Sequence, residues 1–317
     1  MSCDLICIGM ALVDSIIRGF DPVPISASGY RAESCSLNVG GEAVNEAVTA
    51  AKLGLKTGIL CAAGKDQAGE MVLNELRRNG VDTRAVVRSE ATPVTTMFVR
   101  ADGTRQSITN RAHQYNFHPE KDPSLFTDAK AVILGSLFRA PFDDPGIIHA
   151  VVSSAKAAGQ LVIADTKLPI FRFLTLEDIR DSLSMIDYIT PNEDEARHFT
   201  EKDEPEAMAD VFLSFGMKNV IIKLGAKGCL LKNRETTIRL PILPVQAVDA
   251  TGAGDNFAAG FASEILRGAR QEEALRFASA CGAICTTAVG ACTALKDREQ
   301  VLELMETTKQ KGTVTPG

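Results

Sequence analysis

Short apolar segments alternate with helical segments along most of this chain, and that alternation leaves few folds open to it. Several apolar segments are almost continuous in Val, Ile and Leu, as parallel strands covered on both faces require. The clearest helical segments each have a Gly one or two residues beyond their end. The pattern predicts an α/β fold built on a doubly wound, mainly parallel sheet. The predicted strands are residues 5–9, 57–61, 131–135, 160–164, 186–190 and 219–224, and the clearest predicted helices are residues 41–52, 69–79 and 144–158.

Two stretches, residues 12–37 and 92–112, have a β pattern and interrupt this alternation. The second is rich in Val and Thr and contains Asp102-Gly103, a dipeptide typical of hairpin turns. We expect the two stretches to form a small second sheet beside one large α/β core. That core would comprise residues 1–11, 38–91 and 113–317, a division that a chain of 317 residues accommodates.

Charge and composition exclude several classes of partner. The chain has 34 basic and 40 acidic residues, a net charge of −6, and no cluster of basic residues, so nucleic acid is not an expected partner. No apolar run reaches the roughly 18 residues of a membrane helix, and the start of the sequence lacks the basic region of a signal peptide. The eight cysteines contain no Cys-x-x-Cys pair and suit a reducing compartment. We therefore expect a cytoplasmic protein with no membrane partner.

Cys281 and Cys285 lie four residues apart in an Ala-rich helical stretch, so they would share a face. They could be a metal or redox pair, or they could be small buried apolar side chains. The second interpretation is favoured because no His or further Cys lies at ligand spacing.

The strongest chemical signal is residues 248–257, where an extended piece enters a small-residue turn and then a helix that begins near Asp255. Backbone N–H groups at such a turn suit a phosphate or a developing phosphoryl anion. Asp255 could take a proton from an attacking hydroxyl, or it could cap the helix. The sequence has no Walker A Gly-Lys-Ser/Thr and no complete dinucleotide fingerprint, which disfavours an NAD-dependent oxidoreductase.

A second signal is the glycine pair Gly40-Gly41, which stands before a helix carrying Asn45. Paired glycines allow a ligand to approach the backbone, and the Asn amide both donates and accepts hydrogen bonds. The segment could bind a polyhydroxylated ligand or form an ordinary flexible turn.

Two further segments follow predicted strands. Asn192 and Glu195 lie three apart at a helix start, which suits either Mg²⁺ held through water or capping of the helix. Lys223, Gly225 and Gly228 form a strand end and a tight turn, a common place for nucleotide phosphates or ribose, although the pattern is unspecific.

In combination and in chain order, these segments resemble the ribokinase family of carbohydrate kinases, also called the PfkB family. The resemblance covers essentially the whole chain, and the two β stretches correspond to the family's small β lid. Its most specific part is the signature Asp-Thr-x-Gly-Ala-Gly-Asp, found here at residues 249–255 with Ala in the second place and Thr in the third. The other matches are the Asp after the first strand, the Gly-Gly-x-x-x-Asn signature and the Asn-x-x-Glu pair, at Asp14, at Gly40, Gly41 and Asn45, and at Asn192 and Glu195.

The resemblance implies a ribokinase-like three-layer α/β fold and transfer of the γ-phosphoryl group of ATP to a hydroxymethyl group of a sugar under the lid. Asp255 would take the hydroxyl proton, and the N–H groups of Gly252, Ala253 and Gly254 would hold the moving phosphoryl group. By the same resemblance, the sugar would be bound by Asp14, Gly40, Gly41, Asn45 and Asp255. The nucleotide would be bound by Asn192, Lys223, Gly225, Gly228, Thr251, Gly252 and Gly254, with adenine along residues 280–284. Asn192 and Glu195 would bind Mg²⁺ through water, and Asp249, Thr251 and residues 286–291 would bind K⁺ or another monovalent cation.

Substrate choice is less constrained. Residues 165–169, Asp-Thr-Lys-Leu-Pro, do not match the Asn-x-Arg run of fructokinase and ketodeoxygluconate kinase members. In the lid segment 107–113, Asn110 and Arg111 could face the ligand, and Arg111 either suits an acidic or phosphorylated sugar or is a solvated lid residue. A lid poor in aromatic residues disfavours nucleosides. We expect a ribose-like or ketohexose sugar and a homodimer formed through the lid. A nucleoside kinase, a sugar-acid kinase and a non-catalytic sugar or nucleotide sensor remain alternatives.

Overall fold

The computed structural model describes residues 3–19, 31–100, 105–110, 117–121, 129–170 and 172–311. Its strands are β1 (Cys3–Ile8), β2 (Leu12–Arg18), β3 (Ser34–Gly40), β4 (Thr57–Leu60), β5 (Ala62–Gly64), β6 (Val87–Ser89), β7 (Val94–Val99), β8 (Arg105–Thr109), β9 (Ala129–Leu137), β10 (Leu161–Thr166), β11 (Tyr188–Ile189), β12 (Asn219–Lys223), β13 (Cys229–Lys232) and β14 (Thr237–Leu240). Its helices are α1 (Glu42–Lys52), α2 (Gln67–Arg78), α3 (Pro145–Ala157), α4 (Arg180–Leu183), α5 (Glu193–Thr200), α6 (Pro205–Ser214), α7 (Ala253–Leu266), α8 (Gln271–Cys285) and α9 (Arg298–Lys311).

The main sheet has eight strands in the order β14-β13-β12-β11-β10-β9-β1-β4. The strands from β12 to β4 are parallel, while β13 and β14 are antiparallel and form one edge. The predicted doubly wound, mainly parallel sheet is therefore confirmed. Because β1 lies between β4 and β9, the strand order reverses there, and ligands of such sheets bind beyond the carboxyl ends of the strands near that point.

Helices cover both faces of the main sheet, which gives three layers. Alternate residues of a strand point to opposite faces. Leu5 and Cys7 pack with α1, α2, α7 and α8, whereas Ile6 and Ile8 pack with α3, α4, α5 and α6. Burying a Leu or Ile side chain contributes about 1.5–3 kcal/mol, so the near-continuous apolar strands have a direct energetic basis. Among the described residues, no helix is long and apolar enough to cross a membrane.

A second sheet is assembled from the two β-rich stretches, in the order β3-β2-β7-β8. Strand β2 pairs antiparallel with β3 and parallel with β7, and this register places Asp14 between Asn38 and Thr95. β7 and β8 form the predicted hairpin. Its Asp102-Gly103 turn and Arg111 lie outside the described residues.

The structure corrects the local prediction around residues 244–257. The piece predicted as extended, residues 244–248, belongs to no sheet, and the N–H groups of Val248 and Asp249 donate to the Thr286 carbonyl at the end of α8 (2.7 and 3.1 Å). Helix α7 begins at Ala253, two residues earlier than the position predicted near Asp255.

Helix α1 buries a carboxyl group against the main sheet. The Glu46 side chain has no exposed surface, and neither carboxyl oxygen has a hydrogen-bond partner among the described residues. It is packed so closely against β9 that a Cβ added at Gly135 would lie 2.5 Å from Glu46 Oε2. Burial raises the pKa of Glu46 well above 4.5, and the charges of Asp255 and Asp165 act in the same direction. The carboxyl group is therefore held in its neutral form.

We predict that Glu46→Gln changes how stability depends on pH. A carboxyl with a raised pKa in the folded protein loses its proton on unfolding, so wild-type stability falls as pH rises above the unfolded-state value near 4.5. The amide cannot ionise, so the stability of the variant relative to wild type should rise from pH 5 to 8, by up to about 1.4 kcal/mol per pH unit. Urea denaturation at several pH values measures this difference.

Glu90→Gln, at an exposed position, is the control and should change the free energy of unfolding by less than about 0.5 kcal/mol at each pH. A difference between Glu46→Gln and wild type that does not change with pH would contradict the assignment of a neutral buried carboxyl.

Candidate active site

Asp255 lies in the first turn of α7, at the carboxyl-end side of the main sheet, and is 4% exposed. The residue that caps this helix is Gly252, so the interpretation of Asp255 as a helix cap is wrong. Its Oδ2 instead accepts a hydrogen bond from Asn45 Nδ2 at 2.7 Å. Burial and the neighbouring Glu42 raise the pKa of Asp255, while Lys167 opposes that rise. The Asp255 carboxylate is therefore positioned by a side chain that follows the Gly-Gly pair, and it does not cap its own helix.

The turn before α7 depends on small residues. Gly252 has a φ of 78°, and a Cβ there would lie 2.3 Å from Ala291 Cβ, so both conformation and space require glycine. First-turn amides of a helix have no partner within the helix. The N–H of Ala253, which was predicted to hold the moving phosphoryl group, instead donates to the Ala250 carbonyl at 3.2 Å. Gly254 lies beside a fixed cation, since a Cβ there would be 3.0 Å from Lys223 Nζ.

The Gly-Gly segment and the second sheet meet next to Asn45. Gly41 has a φ of 100° and directly precedes α1, where a Cβ would come within 2.4 Å of the Met10 carbonyl oxygen. Asp14 of β2 lies beside Gly40 of β3, because a Cβ at Gly40 would be 2.7 Å from Asp14 Oδ2. Burial, followed by the charge of Glu42, raises the pKa of Asp14 to about 6.

Two further charged residues, Lys167 and Glu42, belong to this site and were not predicted. Lys167 Nζ lies 3.6 Å from Glu42 Oε1 and 3.8 Å from Asp255 Oδ1. Burial lowers the pKa of Lys167, but the charges of Asp255 and Glu42 outweigh it and raise the pKa overall. Their positions in the sequence could have indicated them, because Lys167 follows the carboxyl end of β10 and Glu42 follows the glycine pair.

Asn192 and Glu195 form a complete capping box at the start of α5. Glu195 N donates to Asn192 Oδ1, and Asn192 N donates to Glu195 Oε2, both at 2.9 Å. Glu195 Oε2 also accepts from Thr166 Oγ1 at 2.8 Å. The capping interpretation is therefore confirmed, and a magnesium role for the pair stays a prediction. Among the described residues, no group of three or more His, Cys, Asp or Glu side chains could hold a metal ion.

The segment after β12 lies next to this capping box. The Lys223 N–H donates to the Pro191 carbonyl at 2.9 Å, and its Nζ donates to Asp165 Oδ1 at 2.5 Å. Gly225 begins a 3₁₀ turn at the surface, whereas Gly228 packs against the Leu240 carbonyl. Gly228 therefore has a packing reason of its own, and the nucleotide roles of Lys223, Gly225 and Gly228 stay predictions.

Asp249 and Thr251, the predicted ligands of a monovalent cation, contact each other. Asp249 Oδ1 accepts from Thr251 N at 3.1 Å and from Thr251 Oγ1 at 2.7 Å. An unpredicted partner comes from the second sheet, because Arg18 of β2 donates to Asp249 Oδ2 at 3.2 Å.

None of the eight cysteines, all of which are among the described residues, forms a disulfide bond. Cys281 and Cys285 are buried in α8, which confirms the interpretation as buried side chains. Cys281 fills the contact between α7 and α8, since a Cβ at Gly260 would lie 2.7 Å from its Sγ.

Known proteins of similar sequence and structure cover nearly the whole chain. The ribokinase of Haemophilus influenzae is 30% identical over 275 residues, which is 84% of this chain and 87% of that protein. A probable fructokinase-5 of Arabidopsis thaliana is 31% identical over 286 residues, 84% of this chain and 88% of its own length.

Among solved structures, Arabidopsis thaliana ribokinase complexed with ribose and ATP superposes with a TM-score of 0.83 at 28% identity, covering 96% of this chain and 99% of that one. Ribokinase from Thermotoga maritima gives 0.81 at 26% identity, with the same coverage. These likenesses confirm the ribokinase-like fold. Residues 4–298 match the pfkB family of carbohydrate kinases, and this chain is a member of that family of phosphotransferases.

Proposed function

We propose that this protein is an ATP-dependent sugar kinase that phosphorylates a hydroxymethyl group of a ribose-like or ketohexose sugar. The observation that carries the proposal is the Asp255 carboxylate, held at 2.7 Å by Asn45 at the helix end that follows the small-residue turn. Its relatives are named as ribokinases and fructokinases, which supports both sugar classes. Eight cysteines without a disulfide bond suit the cytoplasm as the enzyme's location.

The sugar would bind between the second sheet and the carboxyl ends of the main strands. Asp14 and Asn45 offer a carboxylate and an amide to sugar hydroxyls, and Gly40 and Gly41 leave the backbone open to close approach. We propose that the second sheet acts as a lid over this ligand. We further propose a homodimer formed through this sheet, in which Leu37 and Ile108, 60% and 69% exposed, would be covered.

Proton transfer would be the task of Asp255. Its carboxylate takes the proton of the sugar hydroxymethyl group while that oxygen forms a bond to the γ-phosphorus of ATP. The bond between this phosphorus and the β–γ bridging oxygen breaks, and ADP leaves with the electron pair. A pKa raised by burial makes Asp255 a stronger base than an exposed aspartate. The N–H groups of Gly252 and Gly254, together with Lys223 Nζ, would stabilise charge on the moving phosphoryl group.

The nucleotide would contact Lys223, Gly225, Gly228 and Thr251, with adenine along the residues 280–284 of α8. Mg²⁺ would supply positive charge to its phosphates. Because the capping box already uses Asn192 Oδ1 and Glu195 Oε2, those two residues would hold the ion through water. Arabidopsis ribokinase was solved with ribose and ATP, which supports this choice of phosphoryl donor.

A neutral sugar fits better than a sugar acid. Lys167 is the described cation nearest to Asp255, but two carboxylates, Glu42 and Asp255, already balance its charge within 4 Å. A carboxylated substrate would therefore add a third negative charge to this cluster.

We predict that Asp255→Asn abolishes sugar-dependent ADP release while the protein still folds. The amide cannot accept the hydroxyl proton, so kcat should fall at least about 100-fold. The measurement is ADP release over a panel of pentoses, ketohexoses, sugar acids and nucleosides, with the melting temperature as a folding check. Asp181→Asn, on the exposed surface of α4, is the matched control and should keep wild-type turnover. Near-wild-type turnover in Asp255→Asn would refute the base assignment.

We also predict that Lys167→Met moves the acid limb of the kcat/KM profile to higher pH. Lys167 lowers the pKa of Asp255, so its removal should leave more of the base protonated at a given acidic pH. At a fixed pH on that limb, kcat/KM should fall about tenfold for each pH unit by which the limb moves. Lys167→Arg keeps the charge and should keep the limb in place. An unmoved limb in Lys167→Met would show that the two groups are not coupled.

A further inference from the structure

Asp249, the charged residue of the predicted monovalent-cation site, already accepts hydrogen bonds from donors of this chain. A carboxylate has about four lone-pair sites. Asp249 accepts four hydrogen bonds, from the N–H and Oγ1 of Thr251, from Arg18 NH2 at 3.2 Å and from the Gly290 N–H at 3.3 Å. Its side chain is 1% exposed. The donor set around Asp249 therefore does not fit an added metal ion.

Several backbone carbonyls near Asp249 also accept hydrogen bonds from side chains. The Thr251 carbonyl accepts from Cys285 Sγ at 3.3 Å, and the Ala291 carbonyl accepts from Asn256 Nδ2 at 2.8 Å. Lys52 Nζ donates to the carbonyls of Cys292 and Leu295 at 2.6 and 2.9 Å. Two side chains therefore bring positive charge to this region: Arg18 to Asp249, and Lys52 to the carbonyls of Cys292 and Leu295.

A buried carboxylate needs a compensating charge, because leaving it alone in a poorly solvated place is costly. A monovalent metal ion supplies one positive charge without direction. The Arg18 guanidinium supplies the same charge together with a directional hydrogen bond.

We propose that Arg18 serves as the resident cation for Asp249, so that this enzyme works without a monovalent metal ion. The ion pair braces Asp249, which in turn holds the Thr251 N–H and with it the turn that leads to Gly252. Arg18 acts on the reaction through that turn, so it is a positioning residue.

The location of Arg18 couples this charge to closure of the second sheet. Asp14 and Arg18 are four residues apart on β2, so their side chains point to the same face of the strand. One strand therefore carries both the proposed sugar-binding carboxylate and the cation for Asp249. Movement of the second sheet away from the core would break the ion pair and release the turn at the same time.

The first test compares cations on the wild-type enzyme. Sugar-dependent ADP release is measured in K⁺, in Na⁺ and in tetramethylammonium at matched ionic strength, with the melting temperature recorded in each. We expect kcat/KM to vary by less than about twofold, and the melting temperature to be the same in all three. Stimulation by K⁺ of about tenfold, equivalent to about 1.4 kcal/mol of transition-state stabilisation, would overturn the proposal.

The second test uses Arg18→Met, which removes the positive charge next to Asp249 and keeps most of the side-chain volume. We expect kcat to fall about tenfold or more, equivalent to about 1.4 kcal/mol, and to recover partly with K⁺ or guanidinium ion. The melting temperature of this variant should rise specifically with K⁺. Arg18→Lys keeps the charge and should need less K⁺ for recovery. Loss of activity that neither cation restores would mean that Arg18 has a packing role only.

Arg100→Met is the matched control, because Arg100 follows β7 of the same sheet and donates to Gln106 rather than to Asp249. It should behave as wild type in every cation. The proposal rests on the kinase function, but the two can fail separately. A wild-type protein that releases no ADP with any sugar would refute the function, while the K⁺ dependence of the melting temperatures would still decide the role of Arg18.

Discussion

The hydrogen bond from Asn45 to Asp255 is the contact on which the rest of the site depends. It joins the first turns of α1 and α7, which are 210 residues apart in the chain, at a distance of 2.7 Å. The bond from Thr49 Oγ1 to Asn256 Oδ1, at 3.1 Å, repeats the same link one turn along α1. Both helices pack on one face of the main sheet, and these two bonds hold the proposed sugar-binding segment against the proposed base. Chemistry that relies on positioning requires this rigidity.

Compensation of buried charge is the second constraint on the site. Three cations of the site each contact a carboxylate, in the pairs Lys167–Asp255, Lys223–Asp165 and Arg18–Asp249. These pairs leave little positive charge for a substrate, so the anion site that we propose is made mainly of helix-end amides. A net charge of −6 is therefore compatible with a phosphate-handling enzyme, because the basic residue count does not include backbone amides.

Much of the fold followed from the apolar pattern. Burial on both faces forces parallel strands to be almost wholly apolar. Strands β1, β9 and β10 could therefore be predicted from their local runs of apolar residues. The β7–β8 hairpin could also be predicted, because its two strands are neighbours in the sequence and pair with each other. The N–H groups of Val248 and Asp249 bond to the end of α8, a contact between distant segments that no local pattern carries.

The sequence by itself determined the class of fold and the motifs that belong to the site, since glycine turns and strand ends leave local signatures. The tertiary structure decided what those residues do to each other. In the folded chain, Asp255 accepts a hydrogen bond from Asn45 and does not cap its own helix, and Lys167 lies between two carboxylates. Arg18 contacts Asp249, which is 231 residues away along the chain. The physical reason is that burial and ion pairing depend on distance in space, and spacing along a chain does not encode that distance.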